Sequence, residues 1–87
     1  MIVSTHRSLD KLYKKLPFEI KDAFKRRKDM FIEEPFHPLL ANHPLTGEWE
    51  GSRSINITGD YRAIYAPLGE KTANFIAIGT HHQLFGS

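Results

Sequence analysis

The stretch Arg53-Ser54-Ile55-Asn56-Ile57-Thr58-Gly59-Asp60-Tyr61-Arg62-Ala63-Ile64-Tyr65-Ala66 switches the chain from a helical period to a period of two. Arg53, Ile55 and Ile57 alternate with Ser54 and Asn56, and Arg62 and Ile64 alternate with Ala63 and Tyr65. Successive side chains of a strand point to opposite faces, so both runs read as strands, joined by the turn residues Thr58-Gly59-Asp60. Pro67-Leu68-Gly69-Glu70-Lys71 makes a second turn before a third run, Thr72 to Ile78. Connections this short force antiparallel pairing, and the three runs predict an antiparallel meander.

Upstream the period is helical. Ser8 reads as an N-cap with Asp10 in the first turn, and Leu9, Leu12, Tyr13 and Leu16 share one helix face. Pro17 interrupts and opens a second helix, whose apolar face is Ile20, Ala23, Phe24, Met30 and Phe31 with Arg27 along its edge. Pro35 and Pro38 end that helix and begin a loop through His37, His43, Pro44 and Gly47. Ile2, Val3 and Thr5 make a short strand of the N-terminus, and the chain closes in a short turn or helix. The fold class is therefore α+β: a short strand, a two-helix hairpin and a three-stranded meander, with the helices on one sheet face. The other face is expected to stay partly open, and an open face ringed by polar side chains is where a site belongs.

Length and composition narrow the classes. Eighty-seven residues suit one domain, 1–87, with a small core and one site. With no cysteine there is neither a disulfide framework nor a thiolate metal site, which suits a reducing cytoplasm. No apolar run is long enough to span a bilayer, and the first seven residues lack a signal-peptide stretch, so a soluble cytoplasmic protein with no membrane partner is expected. The net charge of +2 permits a polyanion partner without requiring one. The basic residues crowd the helices: Lys11, Lys14, Lys15, Lys21, Lys25, Arg26, Arg27 and Lys28. Such a run is a solvated helix face, a nucleic-acid footprint or a docking surface for an acidic partner chain.

The C-terminal half interleaves histidines, an acid, arginines and aromatics with its strands. It contains Asn42-His43-Pro44-Leu45-Thr46-Gly47-Glu48-Trp49-Glu50-Gly51-Ser52-Arg53, then Gly59-Asp60-Tyr61-Arg62-Ala63-Ile64-Tyr65, and ends in Ala77-Ile78-Gly79-Thr80-His81-His82-Gln83-Leu84-Phe85-Gly86. No phosphate-binding glycine loop, His-Glu-x-x-His pair, cysteine nucleophile or nucleophile elbow is present. With the element order, these segments resemble the RelE/ParE superfamily of toxins from toxin-antitoxin pairs, and the YafQ branch in particular. The likeness is close over the C-terminal half and a matter of pattern over the helices.

The resemblance implies a toxin of a type II pair: a metal-independent, cofactor-free endoribonuclease that cuts messenger RNA at the ribosome and is held inactive by a cognate antitoxin. Operator DNA would be met only through that antitoxin. The chemistry is compatible, because RNA carries its own nucleophile in the 2′-hydroxyl. Cleavage then needs a base, an acid for the leaving 5′-oxygen, and positive charge at the phosphate. Histidine, with an ordinary pKa of about 6.5, serves as either near neutrality. By the resemblance His43 and His81 carry protons and Arg62 contacts the scissile phosphate, with Arg53 binding backbone phosphate or supporting the sheet. Asp60 orients a catalytic group, and Tyr61 or Phe85 stacks on a base. The plainer roles are a carbonyl-bonded loop histidine for His43, a turn residue for His81, an ion pair with Asp60 or Glu48 for Arg62, and core packing for Tyr61. His82 neighbours His81 and could substitute for it, but the one-residue shift changes its direction, which ranks it below His81.

Three positions depart from the YafQ pattern. Asn56 replaces a histidine, Ala77 an arginine and Tyr61 a tryptophan. These losses keep open a non-cleaving alternative, either a ParE-like gyrase inhibitor or a degenerate antitoxin-binding module. The His-Pro-Leu loop and the closing Gly-Thr-His favour the nuclease.

Overall fold

A computed structural model describes residues 1–86; Ser87, the last residue of the expected domain, lies outside them. The chain runs β1 (Ile2–Thr5), α1 (Arg7–Lys14), α2 (Phe18–Glu33), β2 (His43–Pro44), β3 (Arg53–Asn56), β4 (Tyr61–Pro67), β5 (Thr72–Thr80) and α3 (His81–Phe85). Single 3₁₀ turns cover Pro38–Leu40 and Gly47–Trp49. The meander is present as β3, β4 and β5, with β5 running two residues past the expected Ile78.

The sheet is wider than the meander. Its order is β1-β5-β4-β3-β2, with β1 parallel to β5 and the other pairs antiparallel. The segment expected as plain loop supplies β2, because His43 and Pro44 pair with Ser54 and Arg53 and satisfy an edge that would otherwise be bare. The start of α1 also differs from expectation. His6 is the N-cap, its Nδ1 accepting from Ser8 N–H at 3.0 Å, while Ser8 Oγ donates to Ile76 O at 2.6 Å. The cap moves upstream because His6 N–H bonds Phe75 O and carries the β1–β5 ladder up to the helix.

One irregularity sets the faces of β5. Tyr65 pairs with Phe75 but Ile64 pairs with Ala77, leaving Ile76 as an extra residue. Beyond this bulge the parity of β5 flips, so Ile78 pairs with Ala63 on the helix side while Ala77 and Gly79 lie on the opposite side. On the helix side Phe31 sits 4.8 Å from Tyr65 and 5.4 Å from Phe75, and Phe24 packs 5.6 Å from Phe75. Tyr13 of α1 meets Phe24 at 5.9 Å, which joins the two helices as a hairpin. Each aromatic pair adds about 0.5–1.5 kcal/mol to its area burial.

Candidate functional site

The opposite sheet face is not bare. Ser54 and Ile64 are fully buried there and Ala77 nearly so. A Cβ built on Gly79 would lie 2.9 Å from Gln83 Oε1 and 3.5 Å from Leu84 Cγ, so α3 folds back directly over this face. Trp49 Nε1 donates to Leu84 O at 3.1 Å and ties the β2–β3 hairpin to α3. The open face expected from the sequence is thus roofed at its centre. The physical reason is that Ile64 is too apolar to leave in water, and Trp49 and α3 supply the cover.

Polar residues remain at the two margins of the roof. At one, the Thr58 hydroxyl accepts from Tyr61 N–H at 3.0 Å and from Asp60 N–H at 3.3 Å, shaping the β3–β4 turn. Arg62 Nη1 reaches back to the carbonyls of Thr58, Gly59 and Tyr61 at 3.0, 3.2 and 3.1 Å. This accounts for one arm of the guanidinium. Among the described residues Arg62 has no acidic partner, so the ion pair with Asp60 or Glu48 does not form. Asp60 exposes its side chain, and its carbonyl accepts from His81 N–H at 3.0 Å. His81 opens α3, where Thr80 and Gln83 form a capping box. Its exposed ring lies 4.8 Å from that of Phe85, one helical turn on, which gives the imidazole a fixed rest. His82 is exposed on another side of the same helix.

His43 stands at the other margin, on edge strand β2. Its Nδ1 lies 2.8 Å from Ala41 O, and a carbonyl only accepts, so Nδ1 carries a proton and Nε2 is the nitrogen not engaged by this bond. Ala41 is placed for this by a left-handed backbone, φ 46°, costing about 1 kcal/mol or more for a residue other than glycine. The loop-histidine bond to a carbonyl is therefore present.

Register relates the two margins. His43, Ser54, Ile64 and Ala77 form one cross-strand row; Asn56, Arg62 and Gly79 form the next. His43 and Arg62 share a sheet face, and β2 lies three strand spacings from β5, about 14 Å. Arg62 and Ala77 are diagonal neighbours, a separation of about 7–8 Å that an arginine spans. In the structure, however, Arg62 turns toward the β3–β4 turn carbonyls rather than toward position 77.

Two expected site residues lie elsewhere. Arg53 pairs with Tyr65 on the helix side, so the sheet separates it from Arg62; its Nε donates to Asn42 Oδ1 at 2.8 Å. Tyr61 is half-buried against the core and lines a cleft of about 430 Å³ with Leu12, Leu16, Trp49, Ala77 and Leu84. Its ring is a wall rather than a free stacking surface. From the sequence, Thr58 has only a turn role and Phe36 has none. Thr58 was hidden as an ordinary turn residue, whereas Phe36, an aromatic between two prolines outside either helical period, carried a legible hint. Among the described residues no group of three or more acidic or histidine side chains is arranged to hold a metal, and no helix is long and apolar enough to cross a membrane.

A family described as "Bacterial toxin of type II toxin-antitoxin system, YafQ" matches residues 3–86. The chain belongs to the YafQ toxin family. The fold agrees with solved relatives. A YoeB/ParE toxin from Agrobacterium tumefaciens superposes with a TM-score of 0.75 at 21% identity, over 93% of this chain and 99% of that one. The E. coli DinJ–YafQ complex gives 0.74 at 24% identity, and YafQ from E. coli strain BL21(DE3) gives 0.62 at 27%, each over 97% of both chains. No curated protein matches the chain by sequence. In this YafQ-family member His43 and Ala77 lie in one cross-strand row of the sheet and Asn56 lies in the next.

Proposed function

We propose that this YafQ-family toxin is a metal-independent endoribonuclease that cuts messenger RNA at the ribosome and is silenced by a cognate antitoxin. The observation that carries the reading is the pair of margins: exposed His43, its Nδ1 bonded to Ala41 O, on one side, and Arg62, Asp60 and His81 together on the other. The substrate 2′-oxygen attacks phosphorus as His43 Nε2 takes its proton. The bond to O5′ breaks, and protonated His81 donates a proton to that oxygen, leaving a 2′,3′-cyclic phosphate and a 5′-hydroxyl. The free arm of Arg62 meets the non-bridging oxygens as their charge builds, standing in for the arginine that Ala77 replaces. Asp60 lies beside His81 and orients it, and Phe85 backs the imidazole and offers an edge to a base.

The antitoxin is inferred from the family and from the DinJ–YafQ complex, in which a relative is bound to a partner. Operator DNA enters only through such a partner. Asn56 and Ala77 favour one competing reading, a toxin that binds without cutting. Primer extension on a reporter mRNA, translated in a cell-free bacterial system with the purified protein, separates the two. New cuts that fall by about a hundredfold or more in His81→Ala support the nuclease. Arrested translation or blocked gyrase without cuts would establish the binder.

A further inference from the structure

The loop that leaves α2 holds an aromatic ring in solvent on a rigid mount. Phe36 is 65% exposed, and the Arg53 guanidinium lies over its ring at 5.3 Å from the centroid. Arg53 is held from behind: its Nε donates to Asn42 Oδ1, and Asn42 Nδ2 donates to Tyr65 Oη and Pro35 O, both at 2.9 Å. The loop is braced again where Arg27 Nη1 donates to Leu39 O and where His37 Nδ1 accepts from Leu39 N–H. A ring that merely failed to find cover would not need an arginine fixed beneath it. Among the described residues the two Nη groups of Arg53 have no hydrogen-bond partner.

We infer that Phe36 and Arg53 form a second nucleotide subsite for single-stranded RNA, with a base stacked on the outer face of Phe36 and the adjoining phosphate on the Arg53 fork. A cation beneath an aromatic ring and an aromatic ring beneath a base are both favourable, and stacking of this kind tolerates any base. The position suits a strand leaving the proposed active site. His43 opens edge strand β2 and Asn42 immediately precedes it: His43 is in register with Ser54 on the Arg62 face, whereas the Asn42 side chain bonds Arg53 on the helix side. RNA passing over that edge, one strand thick, would touch His43 and then Phe36. The inference rests on the RNA reading above but concerns binding rather than cleavage.

The test uses a fluorescent hexanucleotide with every 2′-hydroxyl methylated, so that it binds without being cut, and reads affinity by anisotropy. Phe36→Ala should weaken binding about tenfold and Phe36→Trp should restore it, with melting temperature unchanged because the side chain is exposed. Arg53→Lys should weaken binding through the lost fork, and the Arg53 Nε–H NMR signal of the parent protein should move on titration. Equal affinity of Phe36→Ala and parent would overturn the subsite, and so would a parent that leaves the Arg53 signal in place. Loss of antitoxin affinity in Phe36→Ala with RNA affinity intact would overturn it in favour of a protein contact. None of these outcomes touches the primer-extension result, so the two readings fail separately.

Discussion

The helices and the sheet divide the charge unequally. Up to Glu33 the chain has nine basic residues against five acidic ones, and beyond it three against five. The half that carries His43, Arg62 and His81 is therefore net negative, while the half that supplies most of the α-helix is net positive. On α2, Lys21, Lys25 and Lys28 follow the spacing of one helix face, over about 10 Å of rise. Lys21 lies over the Tyr13 ring and Lys28 over the Phe24 ring, at 5.6 and 5.8 Å, so their stems rest on aromatic surface while their charge faces water. The difference teaches that attraction and chemistry are separable here. A polyanion is drawn over a distance set by the Debye length, about 8–10 Å, whereas a proton is transferred only at hydrogen-bond range.

The strongest challenge to that division is to the core that both halves share. Phe31 is fully buried and links α2 to Tyr65 and Phe75, so Phe31→Ala should cost about 3–5 kcal/mol. Helix and strand signals should then be lost in one thermal transition; two separate transitions would show that the halves fold independently. Within the sheet half, Arg62→Ala should lower the cleavage rate roughly ten- to hundredfold with the melting temperature little changed. Unaltered cleavage would mean that Arg62 only braces the turn carbonyls and that nothing replaces the arginine missing at position 77. The helix half is tested by Lys21→Glu, Lys25→Glu and Lys28→Glu combined. RNA or ribosome affinity should fall severalfold at low salt, with a shallower salt dependence and single-turnover cleavage unchanged. An affinity that ignores these charges would make the stripe a solvated helix face and nothing more.

Much of this was legible locally. The alternation in 53–57 and 61–66 marked β3 and β4, and the apolar spacing in 9–16 and 20–31 marked the buried faces of α1 and α2. The candidate residues His43, Arg62, Asp60 and His81 came from motif and chemistry, and all four lie at the margins of one roofed face. Arg53 was grouped with Arg62 by the family resemblance, and the alternation within each strand does not show how the two strands align. Ile64 and Tyr65 are both buried, so hydrophobicity could not say which face of β4 met the helices.

By itself the amino-acid sequence determined the element types, the order of the meander, the absence of thiol chemistry and the residue types able to move a proton or hold a phosphate. These follow from period, turn chemistry and side-chain identity within a few residues. Only the tertiary structure decided that β1 lies parallel to β5, that the bulge at Ile76 turns Ala77 and Gly79 to the far face, and that Trp49 and α3 roof Ile64. It also decided that Asn42 and His43 send Arg53 and the candidate base to opposite sides of the sheet. Each of these depends on partners up to seventy residues apart, and their pairing is chosen by the free energy of the whole core rather than by any one segment's preference.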